Sequence, residues 1–330
     1  MNVSETVPAR RIFMILSPRA LPYARHGIKS LLMNALEPLH LHLITDSRSD
    51  KERLIEELAS YPLRDRHRCE VFAKAELDDY ESRMFGHYPN LRLFRAGHPC
   101  WRKITDPLLL SSEENEMILL DPDLYFPNRF SFEATPSQGL LLMWQPPSCL
   151  LPHAIVDTAI RSGIALAHHV DIGVAHWRAQ IDLEWVEWLL GQLGIADHPN
   201  ARGSMHIEAI VWAAIAMRVG GGYLPLEHWH CWRRSQRVRL LRKLGVPGPQ
   251  LLRSEPFATV KCFHAGGEAK YWLDEASRRS WLDSDNTLDQ PGIVLPFVEL
   301  TPGTYRRGQT VKSWLKRFGY YSLFPSGALQ

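Results

Sequence analysis

Two carboxylates one residue apart, at the end of an apolar run, carry the clearest chemistry in this chain: Ile118-Leu119-Leu120-Asp121-Pro122-Asp123-Leu124-Tyr125-Phe126. In an extended backbone residues i and i+2 share a side, so Asp121 and Asp123 present their carboxylates together. Pro122 disfavours the helical region for Asp121 and so keeps the pair extended. Adjacent carboxylates repel, and a divalent cation between them resolves the conflict. A solvated Asp-Pro-Asp turn is the plainer alternative. A second segment, His264-Ala265-Gly266-Gly267-Glu268-Ala269-Lys270-Tyr271-Trp272, combines a candidate metal ligand, paired glycines and a cation. Gly266 and Gly267 let backbone N–H groups approach an anion, and the Lys270 ammonium suits phosphate oxygens. Taken alone, His264 equally describes a buried histidine satisfied by a carbonyl, and the glycine pair a simple turn.

These groups need elements to hold them. Ile12 to Leu16 reads as a strand, followed by a loop at Ser17 and Pro18 and a helix from Tyr23 to Asn34. Leu39 to Thr45 is a second strand, ending at Asp46. Asp50 to Tyr61 is a helix capped by Ser49, and Cys69 to Ala73 a third strand. This alternation predicts right-handed crossovers and a largely parallel sheet, which binds ligands at the carboxyl ends of its strands. Ser17, Asp46 and Asp121 all follow such ends. Pro99 to Leu110 reads as a helix limited by Pro107, and Met117 to Leu120, Leu140 to Trp144 and Val170 to Ala175 as strands. Leu183 to Leu193 and Ile207 to Val219 read as helices, the second closed by Gly220, Gly221 and Gly222.

Composition bounds the reading. The 330 residues are 45% hydrophobic and 22% charged, the range of an ordinary globular chain with a sizeable core. With 38 basic and 36 acidic residues, the net charge of +2 gives no field that advertises nucleic acid as a partner. The five cysteines are widely spaced and form no C-x-x-C pair, which argues against a disulfide framework or zinc knuckle and for a reducing, cytoplasmic setting. No apolar stretch is long enough to span a bilayer.

The chain resembles the glycosyltransferase family 8 group and its GT-A relatives, which include glycogenin-like and bacterial galactosyltransferase-like enzymes. The family pattern His-x-x-Gly-x-x-Lys-Pro-Trp is met by His264, Gly267, Lys270 and Trp272, with Tyr271 in place of proline. Asp121 and Asp123 match its hydrophobic-Asp-x-Asp strand end, about 140 residues earlier. Asp171-Ile172-Gly173-Val174 resembles an Asn-Ala-Gly-Val element, with Asp171 replacing asparagine. Lys103 falls where relatives keep a basic residue on the donor. The Asp-Gln pair that opens the family's buried helix is absent; His206, Ile207 and Glu208 stand there.

The resemblance implies a single α/β domain of GT-A type, Rossmann-like and mostly parallel, over residues 10 to 275. Residues 276 to 330 then form a C-terminal basic and aromatic extension. It implies a UDP-sugar donor and transfer with retention to a hydroxyl of a glycan or glycolipid. Asp121, Asp123 and His264 would hold the cation, and their mixed carboxylate and imidazole set suits Mn²⁺ ahead of Mg²⁺. Ser17, Asp46, Lys103, Asp121, Gly266, Gly267 and Lys270 would contact the donor; Asp171, Glu208 and Lys270 are the candidate catalytic groups. Two other functions stay open: a haloacid-dehalogenase-like phosphatase with Asp121 as nucleophile, and a catalytically silent module that binds a nucleotide sugar.

Three further features are noted. Arg233, Arg234, Arg237, Arg239, Arg242 and Lys243 form an acid-free run that reads as a solvated loop or lid, or as a contact for an anionic substrate or lipid headgroup. Val311 to Leu323 mixes Lys312, Lys316 and Arg317 with Trp314, Leu315, Phe318, Tyr320 and Tyr321. Such a helix suits the inner surface of a membrane, or docking onto the domain or a second copy of the chain. His228, His230 and Cys231 lack a fourth regularly spaced ligand and read as core or acceptor-cleft residues.

Overall fold

A computed structural model describes residues 8–61, 66–112, 115–146, 148–178, 180–198, 201, 203–282 and 284–320. Two crossovers open the chain: β1 (Arg10–Ile15), α1 (Leu21–Asn34), β2 (Leu39–Thr45), α2 (Arg48–Ala59) and β3 (Arg68–Ala73). The short helices α3 (Asp78–Met84), α4 (Pro89–Arg95) and α5 (Arg102–Leu109) lead back to β4 (Glu116–Leu120), which pairs in parallel with β1. β5 (Leu124–Tyr125) and β6 (Arg129–Phe130) leave the sheet, and β7 (Leu140–Trp144) rejoins it. Next come α6 (His153–Arg161), β8 (Val170–Arg178), α7 (Leu183–Gln192), α8 (Ile207–Val219) and β9 (Gly221–Tyr223). The remainder comprises β10 (Trp229–Cys231), α9 (Gln236–Lys243), α10 (Gly248–Leu252), β11 (Cys262–His264), α11 (Leu273–Arg278), β12 (Thr287–Leu288), β13 (Leu295–Pro296) and α12 (Pro302–Arg317).

The central eight-stranded sheet has the order β13-β9-β7-β8-β4-β1-β2-β3. It is α/β and largely parallel, but mixed: β8 runs antiparallel to both β4 and β7, and β13 antiparallel to β9. Both faces are covered, which is why the strands read as continuous apolar runs. Phe13, Met117 and Leu119 point into one buried cluster, with Ile210 and Trp212 of α8. Ile12, Met14, Ile118 and Leu120 point into the other, with Ile28 and Leu31 of α1.

Three expectations need correction. The α2 cap is Ser47, whose hydroxyl accepts from the Asp50 N–H, because the chain leaves β2 directly into the helix. The acid-free run after Trp232 is mainly helical, as α9, rather than a loop. The boundary at 275 falls inside α11, with Ala276 and Leu282 buried in a cluster around Trp232 and Phe263. Beyond it, β13 pairs with β9, and Leu300 N–H donates to Leu166 O (2.8 Å). Helix α12 has no fully buried residue, but its first turns dock on α6: Tyr305 packs against the core and its hydroxyl donates to His153 O (3.2 Å), and Gln309 Nε2 lies 2.9 Å from His153 Nδ1. Tyr321 and Leu323 lie outside the described residues.

Helix α1 fixes the Asp-Pro-Asp segment. Ser30 Oγ accepts from the Phe126 N–H (3.1 Å), and Asn34 donates to Phe126 O (2.6 Å). Gly27 allows this approach, since a Cβ there would lie 2.3 Å from Leu124 O. Gly27→Ala is therefore expected to lower unfolding free energy by about 1–3 kcal/mol, the usual effect of overpacking. Urea denaturation checks this, and an unchanged midpoint would refute the clamp.

Candidate functional site

The site is assembled at the carboxyl end of β4. There Asp121 N–H donates to Gly173 O (2.8 Å), which pins the end of β4 to β8. The chain then turns into β5, and β5 pairs antiparallel with β11, setting His264 opposite Leu124. Ala265 N–H donates to Asp123 O (2.9 Å) and closes the junction. This pairing, between segments remote in sequence, carries the imidazole to the carboxylates. Ligand atoms of Asp121, Asp123 and His264 all lie within 4.8 Å of one another, and His264 Nε2 is 3.3 Å from Asp123 Oδ1.

His264 is held from behind. Its Nδ1 lies 2.8 Å from Asp171 Oδ1, and Asp171 also accepts from the Gly173 N–H (2.9 Å). With Nδ1–H donated to Asp171, Nε2 is the atom left for a cation, the orienting arrangement common behind metal-bound histidines. Gly173 makes room for it: a Cβ there would sit 2.7 Å from His264 Nδ1. Burial opposes charge on this ring, but Asp171 and Asp123 outweigh it and hold the His264 pKa well above its ordinary value. Burial likewise disfavours the Asp123 carboxylate, yet His264 and Lys270 bring its pKa down to about 2.

Helix α5 serves two strand ends with consecutive residues. Arg102 pairs with Asp46 after β2, while Lys103, buried, lies 2.5 Å from Asp121 Oδ1 and 3.3 Å from Glu208 Oε2. Lys103 is thus an internal cation behind Asp121. Glu208 has no exposed surface and accepts from the Trp212 indole N–H (3.3 Å). Burial raises its pKa to about 8, against the pull of Lys103. Glu208, one of the candidate catalytic groups, thus lies at the start of α8 behind Lys103. Asp171, another of the candidate catalytic groups, is paired with His264.

The remaining residues sit around the front. Lys270 Nζ is 3.6 Å from Asp123 Oδ2 and 4.8 Å from the Tyr23 ring centre, joining the turn after β11 to α1. Gly267 adopts φ +65°, which favours glycine, and lets the chain turn between His264 and Lys270; Gly266 precedes it in open contact with the His264 ring. Ser17 follows β1 and caps the short turn Pro18–Ala20. Sequence reasoning missed Gly27; it named Gly173 only as part of the Asp-Ile-Gly-Val element and Cys231 as a core or acceptor-cleft residue, without their contact with His264. Cys231 is buried, and its sulfur lies within 4.8 Å of ligand atoms of Asp171 and His264. Close approach between distant segments leaves no sequence signature except a glycine, and glycines have many causes.

No protein-family model matches this sequence, and no curated protein matches it. Among solved structures the chain is similar to mouse xyloside xylosyltransferase 1 in its apo form. The TM-score is 0.50 and the identity 13%, over 79% of this chain and 98% of that one. This chain has the GT-A fold. More distant matches are the galactosyltransferase LgtC in complex with donor and acceptor sugar analogues, and the apo form of the glycosyltransferase GlyE of Streptococcus pneumoniae. Their respective TM-scores are 0.45 and 0.42, with 12% and 10% identity. They cover 82% and 83% of this chain and, of their own chains, 94% and 64%.

Within this GT-A fold, two carboxylates and an oriented imidazole suit a divalent cation of the manganese type. Such a cation must displace the proton on His264. Because that proton is bound more tightly than on a free imidazole, metal affinity rises with pH until the raised pKa is passed. Calorimetry between about pH 6 and about pH 8 should show increasing affinity and proton release on Mn²⁺ binding. Asp171→Asn, which keeps an acceptor but removes the charge, should shift this dependence to lower pH. Affinity independent of pH would exclude His264 as a ligand.

Proposed function

We propose that this chain is a glycosyltransferase that moves a sugar from a nucleoside diphosphate sugar, with UDP as the first candidate, to a hydroxyl acceptor with retention of configuration. The observation that carries the reading is the convergence of Asp121, Asp123 and His264 at the carboxyl end of β4. Asp121, Asp123 and His264 would hold a Mn²⁺ or Mg²⁺ ion, which would supply electrostatic stabilisation of the leaving diphosphate. Lys270 stands beside Asp123 and contributes a second positive charge to the diphosphate. Gly266 and Gly267 offer backbone N–H groups next to it, and Ser17 and Asp46 line the nucleotide end, with Arg102 steadying Asp46. Lys103 balances Asp121 from behind and leaves its outward face to the cation.

The acceptor is a glycan or glycolipid in this reading. Support comes from α12, an acid-free helix on which Trp314 and Phe318 stand exposed with ring centres 4.8 Å apart, among Lys312, Lys316 and Arg317. No helix among the described residues is long and apolar enough to cross a membrane. In this reading the contact is peripheral, at the inner face of a membrane. Trp314→Ser with Phe318→Ser should reduce co-sedimentation with anionic liposomes several-fold, and full retention would remove this part of the reading.

The central test is sugar transfer or hydrolysis from a panel of nucleotide sugars, with and without Mn²⁺. Asp123→Ala is expected to lose on the order of a hundredfold or more in rate, comparable with removal of one electrostatic stabiliser. Equal rates in the two proteins would sink the metal site. Phosphate release from simple phosphoesters would point to a phosphatase, and tight UDP binding without turnover to a silent module.

A further inference from the structure

A second group of metal-ligating side chains lies toward the other end of the same strands. His40 and His42 are i and i+2 on β2 and share a face, and Glu70 on β3 is the registered partner of His42. One ligand atom from each lies within 4.8 Å of the other two. The two imidazole rings are 4.1 Å apart, and His40 Nε2 is 3.1 Å from Glu70 Oε1.

His42 is preset as a ligand. It lies between Phe13, stacked at 4.6 Å, and Phe72 at 6.1 Å, which fixes its ring plane. A backbone group of Ile12 hydrogen-bonds the ring, while Nδ1 is buried with no hydrogen-bond partner. A buried acceptor left unpaired is costly, and a cation would satisfy it. Burial and the neighbouring His40 push the His42 pKa down to about 4, so its lone pair is free at neutral pH. Two cations flank the group: Arg11, the register partner of His40 on β1, acts electrostatically on both His42 and Glu70, and Arg68 is the register partner of His40 on β3. Arg11 donates to Leu110 O (2.8 Å) and lies over Phe13, and Arg68, beside His40, is exposed.

We propose that His40, His42 and Glu70 bind a zinc-class transition-metal ion, with water completing the shell. Two imidazoles and one carboxylate suit Zn²⁺, Co²⁺ or Ni²⁺ over the all-oxygen preference of Mg²⁺ or Ca²⁺. The ion clips β2 to the edge strand β3 and stiffens the half of the sheet that ends at Asp46. This site stands independently of the glycosyltransferase reading, since it shares no residue with the Asp121 cluster.

The test is Co²⁺ titration of the chelator-stripped full chain carrying Asp123→Asn and His264→Gln, which together remove ligands from the two other candidate groups, around Asp121 and around Cys231. One equivalent should bind with the visible absorption of low-coordinate cobalt. Adding His40→Gln, at a half-buried position, or Glu70→Gln, at an exposed one, should weaken binding at least about tenfold. Binding unaffected by either substitution, or no stoichiometric binding, overturns the proposal. Should the Asp123→Asn, His264→Gln protein fail to fold, wild-type crystals soaked in Zn²⁺ decide the matter by anomalous scattering. A peak between His40 and His42 supports the site; a peak confined to Asp121, Asp123 and His264 refutes it.

Discussion

Asp121 and Asp123 bring two carboxylates to the rim of a buried strand, where water screens them little and their mutual repulsion is large. The surrounding chain is arranged to supply positive charge from both sides. Lys103 approaches Asp121 from inside the domain, while His264 and Lys270 approach Asp123 from the open side. Each cation comes from a different element, so α5, β11 and the turn after it are positioned by one electrostatic requirement. Lys103 in turn needs Glu208, since a buried ammonium is tolerated only with hydrogen-bonded partners.

The balance can be completed by a proton or by a metal. Without a cation, His264 carries the proton between Asp123 and Asp171, and the pocket is neutralised locally. A divalent cation at Nε2 would take the place of that proton and leave the one donated to Asp171. The same geometry serves both states, because Asp171 and Gly173 fix the ring whichever charge occupies the far side. An acid at position 171 strengthens this hold relative to an amide, which offers an acceptor but no charge.

Precision comes from packing around the site more than from the site itself. The Asp-Pro-Asp segment is short and carries few side chains of its own, so α1 grips it through Gly27, Ser30 and Asn34, and β8 grips it through Gly173 O. Consecutive residues Arg102 and Lys103 tie the ends of β2 and β4 to one helix turn. A shift of α5 would therefore be felt at both strand ends.

Local order was legible in the sequence because it is written in short-range periodicity. The strands at Leu39–Thr45 and Leu140–Trp144, and the helix Ile207–Val219, stand as their apolar runs and closing glycines predict. Asp121, Asp123 and His264 were legible as chemistry, since their residue types and spacing limit what they can do. What the sequence alone left open were properties of pairs distant along the chain. It did not reveal that β8 runs antiparallel, that Lys103 and Glu208 lie behind Asp121, that Asp171 holds His264, or that Ala276 and Leu282 belong to the domain core. Each depends on which segments meet across the sheet. Tertiary packing chooses those meetings by burying whole faces at once, and no single segment encodes its partner.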